Sequence, residues 1–177
     1  TNMKKYEHII VIGIDGMGNF NLQAKTPHMD KLFEKGAVNT AALSMDPTIS
    51  AENWGAMLLG CDPAVHGLTN SIVGRYEYKN RELPSVFTRI RRVYPEAYLV
   101  SCCNWNPINH GIIEHDVGVE LITAEKDELL CEEIEKVIAK KPDFLFIQLD
   151  DVDGAGHHYW YGTEGHLAQI EKTDDYV

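Results

Sequence analysis

Three short groups of residues carry types and spacings that can do chemistry. Ile14-Asp15-Gly16-Met17-Gly18 puts a carboxylate at the end of a β-branched run, before glycines that let backbone and ligand come close. A strand-end Asp-Gly is equally an ordinary turn, so this group alone leaves both readings open. Asp153-Gly154-Ala155-Gly156-His157, preceded by Asp150 and Asp151, sets an oxygen and a nitrogen donor four residues apart. On a glycine-containing turn those are ligand types that suit zinc. A solvated acidic loop accounts for the aspartates, but not for a strand end packed with Asp, Gly and the pair His157-His158.

The third group is Thr48-Ile49-Ser50-Ala51-Glu52-Asn53. Ser50 falls just before a helical pattern, where it can serve as an N-cap and nothing more. The same placement serves a nucleophile. A helix N-terminus presents free N–H groups and a positive dipole end, which favour a phosphoryl group on that hydroxyl. Asn53, one turn on, can donate its amide to a non-bridging oxygen of a transition state. A serine hydroxyl needs activation before it attacks, and coordination to a metal is one way to obtain it.

Elements must then bring these groups together. His8 to Ile14 and Asp143 to Leu149 are continuous runs dominated by apolar residues, the pattern of parallel strands buried on both faces. Shorter strands are expected over Ala37–Ser44 and Ala97–Ser101. Between them, Pro27 to Gly36 reads as a helix capped by Thr26, with Met29, Leu32 and Phe33 on its buried face. Ala51 to Leu59 is a second helix, burying Trp54, Met57 and Leu58 and ending at Gly60. Pro84–Tyr94 is a basic amphipathic helix. Ala124–Lys140 buries Leu129, Leu130, Ile134, Val137 and Ile138, and Thr163–Val177 is helical. Alternation of this kind specifies a doubly wound, mainly parallel α/β sheet with helices on both faces. Ligands in such sheets bind beyond the carboxyl ends of the strands, so Asp15 and the aspartates after Leu149 should converge.

Composition narrows the function classes. The 177 residues suit a single α/β domain, and a net charge of −11 argues against nucleic-acid polymers and anionic membranes. A small anionic substrate stays compatible, because bound cations invert the local field. No apolar run is long enough to span a bilayer. Four cysteines (Cys61, Cys102, Cys103, Cys131) without a CxxC pair read as free thiols, which places the chain in the cytoplasm. Thr1 and Asn2 ahead of Met3 leave open an exported form whose leader has been removed.

These groups together resemble the alkaline phosphatase superfamily, and within it the nucleotide pyrophosphatase/type I phosphodiesterase branch. The resemblance runs from Ile9–Asp15 through Thr26-Pro27-His28-Met29-Asp30-Lys31-Leu32 and Gly36-Ala37. It continues in Ser50-Ala51-Glu52-Asn53 and Leu59-Gly60-Cys61-Asp62-Pro63-Ala64-Val65-His66-Gly67-Leu68, and ends in Asp153–His157; residues 70–140 are generic. The family's nucleophile, Thr or Ser, is followed by Asn three residues on and by His-Gly sixteen residues on, as are Ser50, Asn53 and His66 here. Thr48 is the rival nucleophile, with that spacing wrong by two. By resemblance, Asp15 and Ser50 contribute to one zinc site and Asp153 and His157 to a second. His28 and His66 are then packing residues, and His158 a neighbour of His157.

The same pattern calls for an Asp-His pair and a further His, which do not appear before Val177, and His166 lacks the Asp-His context. The resemblance therefore implies the N-terminal portion of a longer catalytic domain, incomplete C-terminally, with weak or no activity by itself. The activity implied is hydrolysis of phosphodiester or pyrophosphate bonds through a phosphoseryl intermediate, with two divalent metal ions, zinc by donor type. The substrate would be a small phosphate ester such as a nucleotide. Ser71–Leu83, with Arg75, Tyr76, Tyr78 and Arg81, reads as an exposed surface turn or as a loop that grips a nucleotide or a lipid head group. Oligomeric state is not written in the sequence. Two alternatives stand beside this reading. One is a phosphomonoesterase, phosphonate hydrolase, phosphoglycerate mutase or other enzyme of the superfamily. The sulfatase pattern is not there, since Ser50 is followed by Ala51-Glu52-Asn53. The other is a non-catalytic α/β domain with a degenerate metal site.

Overall fold

A computed structural model describes residues 5–77 and 82–177 of the chain. Four strands, β1 (Ile9–Ile14), β2 (Leu99–Cys103), β3 (Val119–Thr123) and β4 (Phe144–Leu149), form one all-parallel sheet in the order β1-β4-β2-β3. Eight helices surround it among the described residues: α1 (Pro27–Lys35), α2 (Ser50–Leu59), α3 (Pro63–His66), α4 (Asn70–Arg75), α5 (Val86–Val93), α6 (Asp127–Ala139), α7 (Asp151–Tyr159) and α8 (Glu164–Asp174). The chain thus has the doubly wound α/β architecture expected from its apolar periodicities.

Alternation along the strands divides the core into two layers. Phe144 and Phe146 of β4, with Leu99 and Cys103 of β2, pack under α2, α4 and α5 through Trp54, Leu58, Val73 and Phe87. Leu145, Ile147 and Leu149, with Val100 and Cys102, face the opposite way onto Leu130, Ile134 and Val137 of α6. All four cysteines are free, and Cys102 and Cys103 are buried in these layers. Among the described residues, no helix is long and apolar enough to cross a membrane.

The carboxyl ends of β1 and β4 lie side by side. Ile14 pairs with Leu149, and the Asp15 amide donates to the Leu149 carbonyl at 2.9 Å. Convergence of Asp15 with the aspartates after Leu149 follows directly from that register.

Several sequence expectations are corrected. Ala37–Ser44 is not a strand. The segment is exposed throughout, and its run of small and polar residues gives a sheet little to bury. β3 was not foreseen, because Val119–Thr123 is short and carries Glu120 in its middle. β1 is not buried on both faces: it is an edge strand, α6 lies over β2 and β3, and Ile10 and Ile12 stay exposed. Helix stripes are narrower than the periodicity suggested. Leu32, Phe33, Met57, Leu129 and Ile138 are all exposed, while Met29, Trp54, Leu58, Leu130, Ile134 and Val137 are buried.

Thr26 holds the N-cap position of α1 without capping it. The backbone N–H groups of His28 and Met29 donate instead to the buried carboxylate of Asp174 at the end of α8, each at 2.9 Å. Of the segment Ser71–Leu83, residues up to Arg75 belong to helix α4 (Asn70–Arg75), Arg75 lies over the Tyr76 ring, and Tyr78 and Arg81 fall outside the described residues.

Candidate active site

A large open cavity of about 1100 Å³ lies beyond the carboxyl ends of β1 and β4. Asp15, Ser50, Asn53, Asp153 and His157 all line it, so five residues spread over most of the chain meet in one place. Its other walls are largely apolar: Phe20, Leu43, Met45, Ile49, Trp54 and Met57. No described Lys or Arg lines it.

Asp15 is held from two sides. The Trp54 indole N–H donates to Oδ2 at 2.9 Å, and the Ser50 hydroxyl lies close enough to favour the ionised carboxylate. Burial nevertheless holds its carboxyl above the ordinary value, and the nearby charge of Asp153 pushes the same way. Gly16 follows with φ +69°, a left-handed turn in which a Cβ would come within 2.6 Å of Asp153. The Asp-Gly pair is therefore both a turn and a close approach between the two acidic groups.

Ser50 does not cap α2. Ile49 takes the N-cap position, and Ser50 is the first residue of the helix, its hydroxyl turned to Asp15. Asn70, a residue the sequence did not single out, accepts the Ala51 N–H at 2.9 Å. Thr48 also lines the cavity. Asn53 uses its side chain on the preceding loop: Nδ2 donates to the carbonyls of Met45, Pro47 and Ile49, and Oδ1 accepts from the Met45 N–H at 2.7 Å. To donate to a phosphate oxygen it must release one of those carbonyls.

Asp153 and His157 lie on α7 rather than on a turn, because the N-terminus of that helix is capped. Asp127, fully buried, accepts from the backbone N–H groups of Asp150 and Asp151 at 2.9 and 3.1 Å. The four-residue spacing then places both donors on one helix face. His157 Nε2 is 3.3 Å from Asp153 Oδ2, with the imidazole well exposed. His158 turns away and lines a separate small cavity with Asn104, Glu125 and Asp151. Asp150 sits between, its carboxyl pushed up to about 6 by burial and by the charges of Asp15, Asp153 and Asp127.

Two further side chains join the site: Tyr161, which the sequence reading passed over, and His166, which it set aside for want of an Asp-His context. The Tyr161 hydroxyl donates to Asp153 Oδ1 at 2.6 Å, and burial together with that bond holds the phenol well above its usual range. His166 is buried in α8. Its Nδ1 accepts the Gly162 N–H at 3.1 Å, so its Nε2–H donates to the Gly16 carbonyl at 3.0 Å. The packing role expected of His66 fits what is seen: it bridges the Glu52 carbonyl and the Leu68 N–H. His28 lies 3.8 Å from Asp175, half exposed at the surface.

The donor chemistry fits divalent cations in part. Asp15 with Ser50 offers an oxygen pair, and Asp153 with His157 an oxygen and a nitrogen. Among the described residues, no group of three or more His, Cys, Asp or Glu is arranged to hold a metal ion. The cavity holds carboxylates with no described Lys or Arg on its lining, a field that draws cations.

Comparison with known proteins bears on the fold. Residues 9–87 match the type I phosphodiesterase / nucleotide pyrophosphatase family. Murine ectonucleotide pyrophosphatase / phosphodiesterase 5, in an inactive form in complex with AMP, superposes with a TM-score of 0.73 at 15% identity. That match covers 97% of this chain and 50% of the other. Phosphonoacetate hydrolase from Sinorhizobium meliloti 1021, in complex with phosphonoacetate, gives 0.64 at 17% identity, over 96% of this chain and 52% of the other. The chain shares the fold of both structures. It spans about half the length of each. No curated protein matches its sequence.

Proposed function

We propose that the chain is the N-terminal portion of a metal-dependent hydrolase that cleaves phosphodiester or pyrophosphate bonds. The observation that carries the reading is the meeting of Asp15, Ser50, Asp153 and His157 in one cavity, with Ser50 beside Asp15. Asp15 and Ser50 would hold one divalent cation and Asp153 and His157 a second, zinc by donor type. When bound, the two cations would neutralise phosphate oxygens and make the serine hydroxyl acidic enough to attack.

This chain's own residues supply the rest. Asp15 stands beside the Ser50 hydroxyl on the cavity wall, placed to favour its deprotonation. Ser50 Oγ forms a bond to phosphorus, one ester oxygen departs in line as an alcohol carrying the proton that Oγ gave up, and Ser50 is left esterified to the remaining phosphate monoester. Water then cleaves the Oγ–phosphorus bond, its hydroxyl going to phosphorus and its other proton to Oγ, and the monoester is released. Asn53 ties residues 45–49 to α2, which fixes the approach to Ser50. The mostly apolar walls suit the organic part of a small ester, and a nucleotide base is one such group; the AMP bound by the murine neighbour agrees with that choice.

A second reading, phosphonate hydrolysis, is favoured by the phosphonoacetate hydrolase match. One set of assays separates them: chromogenic phosphodiester, phosphomonoester and phosphonate substrates, with zinc and after chelation. Diester cleavage that depends on zinc, and that falls by about 10³-fold or more in Ser50→Ala, supports the first reading. Thr48→Ala should keep most of the activity; equal losses in the two variants remove Ser50 from its role. Phosphonate cleavage in place of diester cleavage transfers the conclusion to the second reading.

A further inference from the structure

We propose that Tyr161 is a positioning residue for a divalent cation at Asp153 and His157; this rests on the metal-dependent reading of the site. Its hydroxyl occupies Asp153 Oδ1 at 2.6 Å, which leaves Oδ2 as the oxygen turned to His157 Nε2 at 3.3 Å. A carboxylate fixed in this way offers one defined oxygen beside one imidazole nitrogen. Hydrogen bonds of this kind, from a neighbour that does not touch the metal, orient ligands and raise their affinity.

Three features show that the chain is shaped to bring this phenol back. Trp160 takes φ 73° and ψ 142°, a region open essentially to glycine alone, yet its side chain is 78% exposed and gains no burial there. What the strained turn achieves is to reverse the chain after α7. Gly156 then leaves a notch in α7, where a Cβ would sit 2.2 Å from the Tyr161 ring. Finally, the ring stands edge-on to both His157 and His166, with centroids 5.8 and 5.2 Å away. His166 binds the Gly16 carbonyl, and Gly16 abuts Asp153. The contacts close a circuit from Asp153 through Tyr161 and His166 to Gly16 and back.

The test is cation affinity of the purified chain, measured by titration with Zn²⁺ in a calorimeter and with Co²⁺ by its visible absorption. Tyr161→Phe keeps the ring in its notch, so its thermal midpoint should stay near that of the wild type. Its dissociation constant should rise about 10-fold, with an altered Co²⁺ spectrum. Gly156→Ala, which pushes the ring out, should weaken binding similarly. In a double-mutant cycle, Asp153→Asn with Tyr161→Phe should bind no more weakly than Asp153→Asn alone, because the hydroxyl acts through Asp153. Wild-type affinity and spectrum in a folded Tyr161→Phe variant overturn the proposal. Equal binding by the wild type and Asp153→Asn overturns instead the metal reading on which it stands.

Discussion

Asp151 and Asp153 stand two residues apart on one helix, yet their carboxylates serve different surroundings. Asp153 faces the large cavity with Asp15, where each carboxylate meets hydroxyl, indole or imidazole groups and the charge of the other. Asp151 faces Asp127, and that pair is bound by backbone. Asp127 takes the N–H groups of Asp150 and Asp151 at the start of α7, and Asp151 Oδ2 takes the Asp127 N–H at the start of α6. Asn104 donates to both. Each aspartate therefore serves the other's helix, where a carboxylate is favoured by the free N–H groups and the dipole. The difference lies in what answers the charge. In one pair the chain answers it with its own amides; in the other the charge is left facing the cavity, available to a cation.

The largest effect that separates the pairs is expected from Asp127→Ala. Two backbone N–H groups and the Asn104 amide would lose a buried acceptor, at about 1–3 kcal/mol each where no replacement is found. A loss of about 3–5 kcal/mol in urea denaturation is expected. Asp15→Asn, which keeps an oxygen for the Trp54 N–H, should leave stability at neutral pH unchanged or improved while abolishing zinc-dependent hydrolysis. Similar destabilisation by both substitutions would break the distinction. A smaller loss, about 1 kcal/mol, is expected for Asp151→Ala, since its bond to the α6 N-terminus is long at 3.3 Å.

The same contrast marks what could be read from sequence. Ile9–Ile14 and Asp143–Leu149 announced two strands whose ends hold acidic residues, and the parallel fold then required those ends to meet. Asp15, Ser50 and Asp153 stood out as candidates because each lies at a strand end or in the first turn of a helix, and His157 because it follows Asp153 by one helical turn. Partners that complete the site were not. Trp54 reaches Asp15 across 39 residues, and His166 reaches Gly16 across 150. Asp174 takes the N–H groups of α1 across 145 and 146. No local periodicity encodes such bonds. Asp151 shows the same limit from the other side: by composition it belongs with Asp153, and only the position of Asp127 assigns it to structure. Gly156 was visible as a glycine, but the ring that fills its notch was not.

Asp150 lies between the two pairs and offers the finest test of where the charge goes unanswered. Its carboxyl is pushed up to about 6, chiefly by burial and then by Asp15, Asp153 and Asp127, with Gln148 pulling it back through a 2.9 Å bond. The unfolded chain titrates near the ordinary value of 3.8. Between these two values the folded protein holds more protons than the unfolded one, so stability falls as pH rises from about 4 to about 6. Above that window the ionised carboxylate keeps its full penalty, and below it the penalty vanishes. Asp15 and Asp127, also raised, tilt the curve the same way. Asp150→Asn retains an oxygen for Gln148 and removes one titration, so its denaturation midpoint should fall less than the wild type's across this window. Saturating zinc should flatten the wild-type curve as well, because a cation beside Asp15 and Asp153 favours the ionised forms. A wild-type slope of opposite sign would mean that these carboxylates already have compensating partners within the fold. The separation between the capping pair and the cavity pair would then be lost.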